Sequence, residues 1–306
     1  MMHWVNVSMR ITEGRIVAFL GIVASATLTV SSWGATIRDD AHDSDYVALG
    51  AQTDFASVGT FVNSWGYTGC GILIAPDWVL TAAHNLTAAT SGTFTLNGIS
   101  YTSSGLFSDP GWTGNVFAGY DFGLVQLATP ITNVAPATLY TGTSETGQVA
   151  TYVGYGFTGT GLTGWKTLDN LKRSFQNVID GDFNNPAQLL GSDFDNPHST
   201  NDSSWGSMTP LPLEGCVAPG DSGGGVFISD GSQYFLAGVI SFVAATDGNA
   251  NADYGDFSGA GRISAGLPWI VTIIPEPSVS TLALGGGLAA LCFQRWKKRR
   301  GGIESP

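Results

Sequence analysis

A single serine lies between an aspartate and three glycines in residues 220–225, which read GDSGGG. A serine hydroxyl is a weak nucleophile, so it needs a base to take its proton and amide groups to hold the oxyanion that its attack creates. Glycine supplies the backbone freedom with which neighbouring amides can turn toward one point. A plain glycine-rich turn before an apolar strand is the alternative interpretation, so the rest of the chain must supply partners for Ser222.

One histidine and one aspartate stand in positions that suit a nucleophilic serine. His84 ends the apolar run 78–83, and Asp121 directly precedes the apolar run 122–128. Each has an ordinary structural explanation by itself, since polar residues are common where a strand meets a turn. Together with Ser222 they make the set that this chemistry requires, namely a nucleophile, a base and an orienting carboxylate. The other histidines lie in terminal or polar segments: His3, His42 and His198.

Short apolar runs separated by Gly, Asn, Asp and Thr predict that β-strands position these residues. The main runs are 57–62, 71–75, 78–83, 92–98, 122–128, 148–156, 225–229 and 235–243. Frequent short strands with turn signals between them are typical of a sandwich or a barrel. A helix is expected only near the end, at residues 267–274. The polar segment 177–206 is expected to be a long surface loop.

Both ends of the chain have the composition of sorting signals. Residues 1–35 combine basic residues with the short apolar core 16–30, which predicts a cleaved signal peptide; a buried helix or a membrane anchor is the alternative. Residues 275–300 begin with PEP and continue with an apolar segment and a basic cluster, which would remain cytoplasmic. This tail resembles the PEP-CTERM sorting signal of Gram-negative bacteria. The resemblance implies transient membrane insertion and removal by an exosortase-type enzyme; a permanent anchor is the alternative.

The charge balance excludes one class of partner. The chain has a formal net charge of −12, and only five of its 12 basic side chains lie within residues 36–274. An acidic surface repels nucleic acid and anionic lipid, so we expect no nucleic-acid partner. The sequence contains no CxxC pair or His/Cys cluster, so we expect no metal site. The length of 36–274 suffices for one all-β unit or two small packed barrels.

The order of three motifs resembles the trypsin/chymotrypsin-like serine endopeptidases. TAAH ends at residue 84, DFGLVQL begins at 121 and GDSGG begins at 220, and further likenesses cover most of 46–274. The resemblance implies an all-β fold of two packed six-stranded antiparallel β-barrels with a short C-terminal helix. It also implies an exported enzyme that cuts proteins or peptides through an acyl-enzyme and without a cofactor. A catalytically silent surface or matrix binding protein on the same fold, or a protease that processes mainly its own precursor, is the alternative.

The same resemblance assigns roles to particular residues. Ser222 matches the nucleophile, His84 the general base and Asp121 the carboxylate that orients the imidazole. The backbone amides of Gly220 and Ser222 match the oxyanion hole. Ser241 matches a serine that hydrogen-bonds the buried acid.

Four residues are expected to contact the substrate: Glu214, Ser241, Phe242 and Val243. Counting from Cys216 places Glu214 at the pocket floor, which would favour substrates with Lys or Arg before the cut bond. Counting from Ser222 places Cys216 at the floor instead. Val243 replaces a glycine of the family and would narrow the pocket to small apolar side chains. The sequence leaves both interpretations open.

Two departures from the family pattern concern a cysteine and the start of the mature chain. Asn85 stands where the family has a cysteine bonded to the one matching Cys70, so a Cys70–Cys216 disulfide is the hypothesis. In the family, a freed terminal ammonium pairs with the acid that matches Asp221. No such activation site occurs here, and Ile37, close to the predicted signal cleavage, is the candidate for the new terminus.

Overall fold

The computed structural model describes residues 35–183, 188–203, 205–245 and 247–274. The predicted signal peptide before residue 35 and the predicted sorting segment after 274 lie outside them. No helix within the described ranges is long and apolar enough to cross a membrane. The strands are β1 (Ala35–Ile37), β2 (Val58–Asn63), β3 (Thr68–Ala75), β4 (Trp78–Thr81), β5 (Gly92–Leu96), β6 (Ile99–Ser108), β7 (Gly123–Leu127), β8 (Val149–Gly154), β9 (Phe157–Thr160), β10 (Gly164–Leu168), β11 (Arg173–Val178), β12 (Leu189–Asp193), β13 (Gly215–Cys216), β14 (Gly225–Ser229), β15 (Tyr234–Ala244) and β16 (Phe257–Arg262). The α-helices are α1 (Asp43–Gly50) and α2 (Ile263–Ile273).

Strands β2 to β7 close into a six-stranded antiparallel barrel in the order β2-β3-β4-β7-β6-β5. Alternation along the strands fills its interior, as in β5, where Phe94 and Leu96 are buried and the intervening threonines are not. These side chains pack with Phe61, Leu73 and Val125 from the facing strands. Because the barrel is closed, each of its strands is hydrogen-bonded on both sides. The ends of β4 and β7 are therefore held in a fixed register.

The second half of the chain forms a six-stranded antiparallel sheet in the order β11-β8-β14-β15-β16-β12. The sheet curls so that its two edges meet, because Asp180 N, just after β11, donates to Gly191 O in β12 at 2.9 Å. A four-stranded sheet, β10-β9-β1-β13, includes one parallel pair, β1 with β9. The prediction of two β-barrels with a short C-terminal helix is therefore confirmed, with the helix starting at Ile263 rather than 267.

Two parts of the architecture differ from the prediction. The segment 177–206 is not simply a surface loop, because it contains β12, and Leu189 and Phe194 are fully buried. Some of its polar side chains are buried and hydrogen-bonded inside the protein. Asn177 Nδ2, for example, donates to Asp193 O at 2.6 Å. Helix α1 was not expected, since its sequence has no apolar stripe.

A buried ion pair docks α1 on the second sheet. The Arg173 guanidinium is almost fully buried, and its Nε lies 2.7 Å from the Asp43 carboxylate at the helix start. Its Nη1 lies 2.9 Å from the Asp169 carboxylate. Tyr46, on the same helix, donates its hydroxyl proton to Glu214 O at 2.8 Å. The helix is thus held by long-range partners, which its local sequence does not reveal.

The predicted disulfide between Cys70 and Cys216 is wrong. Both cysteines are free and buried, on β3 of the first barrel and on β13 of the four-stranded sheet. Cys70 Sγ donates to Gly220 O at 3.2 Å, whereas Cys216 Sγ accepts from Ser258 Oγ at 3.4 Å. Burial raises the pKa of both thiols, which favours the protonated form. Each sulfur therefore has its own hydrogen-bonded place rather than a shared bond.

An apolar cluster shared by both halves sets how the barrels meet. It includes Ile72, Leu80 and Phe122 from the first half and Val239 and Ile263 from the second. The ring of Phe122 fits against two glycines: a Cβ on Gly261 or on Gly266 would lie 2.9 Å from it. The residue before Phe122 is Asp121, so this packing also fixes the position of the candidate carboxylate.

Candidate active site

The ends of two adjacent strands bring His84 and Asp121 together. Thr81 at the end of β4 pairs with Gly123 at the start of β7, and a short 3-10 turn, Ala83–Leu86, follows β4. His84 Nδ1 lies 2.7 Å from Asp121 Oδ2, and the His84 backbone N donates to Oδ1 at 2.9 Å. Asp121 is fully buried, while the His84 side chain is 31% exposed. The imidazole therefore reaches the surface from a buried anchor.

The second barrel supplies a third hydrogen bond to the same carboxylate. Ser241 Oγ, on β15, donates to Asp121 Oδ2 at 2.5 Å. With the carboxylate ionised, as an acceptor only, the proton on the imidazole is assigned to Nδ1. Nε2 of His84 is then left as a base with an unshared electron pair, which is the state that proton abstraction requires.

The backbone of Ser222 is hydrogen-bonded to the residue that follows His84. Its carbonyl oxygen accepts hydrogen bonds from Cys70 N at 2.8 Å and from Asn85 Nδ2 at 2.9 Å, and Asn85 directly follows His84. No hydrogen bond joins the Ser222 hydroxyl to His84 among the described contacts. Such bonds are often long in resting active sites and tighten when substrate binds. His84 is thus joined to Asp121 directly and to the backbone of Ser222 through Asn85.

The loop around Ser222 has two amides that no described carbonyl accepts from. The carbonyl groups of Pro219 and Asp221 both accept backbone hydrogen bonds on the interior side. Because a trans peptide unit is planar, with its N–H opposite its C=O, the N–H groups of Gly220 and Ser222 face the other way. Neither amide has an acceptor within the described chain. Gly220 has a φ of +93°, a conformation that a side chain would strain.

Asp221 is the buried support of this loop. Its Oδ1 accepts from Gly156 N at 2.7 Å and its Oδ2 from Ala218 N at 2.9 Å. Burial raises the pKa of Asp221 to about 7, although both amides act in the opposite direction. The carboxyl group therefore ties the nucleophile loop to the segment that leads into β9.

Strand β1 is hydrogen-bonded to a neighbour on each side. Ile37, its last residue, pairs with Thr160 on one side and with Gly215 on the other. Ala35, the first described residue, is buried and pairs with Thr158, two residues beyond the glycine that binds Asp221. Ile37 stays the predicted terminus, and Ala35 is a second candidate.

Val243, Ser258 and Cys216 come together where β13, β15 and β16 approach one another. Val243 on β15 pairs with Ser258 on β16 and packs against the cluster that contains Cys216. Ser258 Oγ also accepts from Val217 N at 3.1 Å, which joins these residues to the segment that leads to Ser222. Cys216 therefore lies beside Val243, while the residue at the floor of the substrate pocket stays a prediction.

Glu214 is engaged elsewhere. Its carboxylate is fully buried and accepts from the backbone amides of Asp195 at 2.7 Å and Leu211 at 2.5 Å. Burial raises the pKa of Glu214 to about 8. Both carboxylate oxygens thus serve the protein backbone, and the structure does not group Glu214 with Val243 and Ser241.

Three aromatic rings that the sequence analysis did not select contact predicted site residues. Phe117 and Phe183 lie beside Phe242, a predicted substrate contact, with ring centroids 4.8 Å and 5.2 Å from its own. The ring of Trp112 lies 6.5 Å from the His84 imidazole. Phe117 is 46% exposed in the turn-rich segment before Asp121, and an exposed aromatic so close to a candidate acid was the available signal. No group of side chains suited to hold a metal occurs within the described ranges.

The fold is a double β-barrel in which a buried carboxylate binds a partly exposed imidazole and a serine hydroxyl of the other barrel. A family model described as Trypsin matches residues 50–270, and the chain belongs to this family. Its relatives include chymotrypsin-like elastase family member 1 of Canis lupus familiaris, 29% identical over 230 residues, 69% of this chain and 82% of that protein. The Felis catus protein of the same name is 29% identical over 69% of this chain and 80% of its own length.

Glu214→Gln should reduce the pH dependence of stability. The raised pKa of Glu214 means that the folded state holds a proton that the unfolded chain releases near pH 4. The stabilisation that this proton gives the folded state is complete below that pH and is lost as pH rises through about 8. The free energy of unfolding then falls by up to about 1.4 kcal/mol per pH unit. We expect urea unfolding between pH 5 and 9 to show a shallower decline in the variant. Asp230→Asn, at an exposed turn, is the control, and equal slopes for Glu214→Gln and the native protein would contradict this assignment.

Proposed function

We propose that this protein is an exported serine endopeptidase that hydrolyses peptide bonds through His84, Asp121 and Ser222. One observation carries the proposal: the buried Asp121 carboxylate binds the His84 imidazole at 2.7 Å, and the residue after His84 binds the backbone of Ser222. Membership of the trypsin family supports the same reaction. A binding protein on this fold would have no need for a buried carboxylate behind a half-exposed imidazole.

The proposed reaction follows from the roles that the geometry permits. Ser222 Oγ attacks the carbonyl carbon of the peptide bond, and His84 Nε2 takes the hydroxyl proton. The amides of Gly220 and Ser222 bind the oxygen that becomes negative. His84 then protonates the leaving amine, which leaves an acyl group on Ser222. A water molecule, deprotonated by His84, attacks the carbonyl carbon of this ester; the bond to Ser222 Oγ breaks, the peptide leaves with a new carboxyl group, and His84 returns the proton to Oγ.

The triad is tested by labelling with a fluorophosphonate probe. The native protein should react at Ser222, and Ser222→Ala and His84→Ala should abolish labelling, because the first removes the nucleophile and the second its base. Asp121→Asn should lower kcat by about 10⁴-fold, since an amide cannot hold the imidazole in the reactive tautomer. Ser229→Ala, at the exposed end of β14, is the control. An unreactive native protein would favour the silent binding protein instead.

We further propose that the enzyme cuts after small apolar residues. The pocket wall of Val243, Ser258 and Cys216 carries no charged group, and a β-branched side chain narrows it. Glu214 is engaged by backbone amides. The named elastase relatives agree with a substrate preference of this kind.

Val243→Gly should broaden the specificity. Removing the isopropyl group makes room for larger side chains, so we expect kcat/KM for Leu or Phe before the cut bond to rise about 10-fold relative to Ala. A peptide library, read by mass spectrometry, measures the full profile. Glu214→Gln should leave it unchanged. Preferred cleavage after Lys or Arg by the native protein would show instead that Glu214 sets the specificity.

The amino terminus of the mature chain is proposed to be Ala35. Asp221 is buried with two amide donors, and a terminal ammonium beside it would offset the cost of its charge. Ala35 has a φ of +60°, which costs a residue with a Cβ about 1 kcal/mol, and a chain that starts there is free of this restraint. Cleavage of the predicted signal peptide before Ala35 would therefore also complete the active site.

Adding one glycine before Ala35 should sharply lower activity, because it moves the ammonium away from Asp221. Terminal sequencing of the exported protein identifies its first residue. The activity is compared by measuring kcat/KM for the chain that starts at Ala35 and for the chain with the added glycine. A chain that starts at residue 35 and carries Ala35→Gly should keep its activity, which separates the position of the ammonium from the side chain. Full activity of the extended form would reject Ala35 as the functional terminus.

Export and release are proposed from the sequence alone. The predicted signal peptide would direct the chain out of the cytoplasm, and the PEP-CTERM-like tail would be cut by an exosortase-type enzyme at the membrane. Protein or peptide substrates at the cell surface or outside a Gram-negative cell would then be accessible to the enzyme.

A further inference from the structure

A buried polar network lies directly behind Ser222, at the seam between the barrels. Asn85 is 5% exposed, and its Nδ2 donates to Thr81 Oγ1 at 3.0 Å and to Ser222 O at 2.9 Å. A carbonyl oxygen can only accept, so the side-chain nitrogen, not the oxygen, of Asn85 faces Ser222. Thr81 Oγ1 in turn donates to Cys70 O at 2.7 Å. From the Asn85 amide, one hydrogen bond therefore runs to the backbone of Ser222 and another runs through the Thr81 hydroxyl to the Cys70 carbonyl.

Cys70 holds the same loop at two points. Its backbone N donates to Ser222 O at 2.8 Å, and its thiol donates to Gly220 O at 3.2 Å. The thiol sulfur also accepts from Tyr155 N at 3.3 Å, which keeps the S–H directed at the loop. The carbonyl groups of both residues whose amides face the site are thus fixed by one residue of β3.

The surroundings of Asn85 leave room for this side chain and little else. A Cβ on Gly69 would lie 2.6 Å from Asn85 Nδ2, and a Cβ on Gly223 would lie 2.9 Å from the same atom. Gly223 has a φ of +85°, which also favours glycine. Two glycines therefore pack closely against the side-chain amide, and a side chain at either position would collide with it.

We propose that Asn85 is a positioning residue for catalysis, supported by Thr81 and Cys70. Asn85 follows the base directly in the chain and binds the backbone of the nucleophile through space, so one residue sets the separation of His84 and Ser222. Hydrogen bonds do this work across the seam, without a covalent link between the barrels at this point. The inference rests on the proposed endopeptidase function and adds residues that contact neither substrate nor reacting atoms.

Asn85→Ala should lower kcat much more than it raises KM. A nucleophile displaced by about 1 Å loses up to about 100-fold in rate, while the substrate pocket on β15 and β16 is untouched. We expect kcat to fall about 10- to 100-fold, KM to change less than about 2-fold, and the rate of fluorophosphonate labelling to fall with kcat. An unaltered labelling rate in a folded Asn85→Ala protein would overturn the proposal.

Thr81 provides a matched pair that preserves the fold. Thr81→Val has the same shape but no hydroxyl, so it removes the acceptor that aligns the Asn85 amide, and we expect kcat to fall about 3- to 10-fold. Thr81→Ser keeps the hydroxyl and should retain nearly full kcat. Equal kcat values for these two variants would contradict a relay through the hydroxyl, whatever their melting temperatures.

A stability control and a readout that needs no turnover complete the design. Leu96→Ala, in the core of the first barrel, should lower the melting temperature without lowering kcat at a temperature where it is folded. Hydrogen exchange of residues 216–226, measured by mass spectrometry, should speed up in Asn85→Ala and not in Leu96→Ala. A native protein that does not label would refute the endopeptidase itself, whereas native labelling that equals Asn85→Ala labelling would refute only the positioning role.

Discussion

The buried carboxylate of Asp121 is the point at which the two barrels act as one site. It accepts hydrogen bonds from the His84 backbone and ring on one side and from Ser241 on the other. Its neighbour Phe122 is packed against glycines of β16 and α2, so the carboxylate cannot shift without moving the second barrel. A change in the relative position of the barrels would therefore alter the orientation of the imidazole.

Hydrogen bonds to its carbonyl groups hold the loop around Ser222 in place. From Pro219 to Ser222, each carbonyl accepts a hydrogen bond, including those from the Cys70 thiol to Gly220 O and from the Asn85 side chain to Ser222 O. The amides of Gly220 and Ser222 share planar peptide units with the carbonyls of Pro219 and Asp221, so the hydrogen bonds that these two carbonyls accept direct the two amides the opposite way. The conformation of the loop is thus fixed by hydrogen bonds within the protein.

Several carboxyl groups of this acidic chain are buried rather than exposed to solvent. Burial raises the pKa of Asp221 to about 7 and that of Glu214 to about 8, and it raises the pKa of Asp256 to about 7 as well. Each is tied to backbone amides, so these groups organise loops near the nucleophile and the pocket wall. These buried carboxyl groups therefore carry less negative charge near neutral pH than exposed ones would.

The sequence by itself predicted many of the strands, among them β2 to β5, β7, β8, β14 and β15, and it selected His84, Asp121 and Ser222 as candidates. Strand periodicity and glycine-rich turns are local signals, and the three motifs occur in a distinctive order. The predicted disulfide was wrong, since the presence of Cys70 and Cys216 in a sequence says nothing about the distance between them. Only the tertiary structure decided that Cys216 rather than Glu214 adjoins Val243, and that Asn85 binds Ser222. Those contacts join residues from different strands and both barrels, so they depend on the register and packing of the sheets, which no short stretch of sequence encodes.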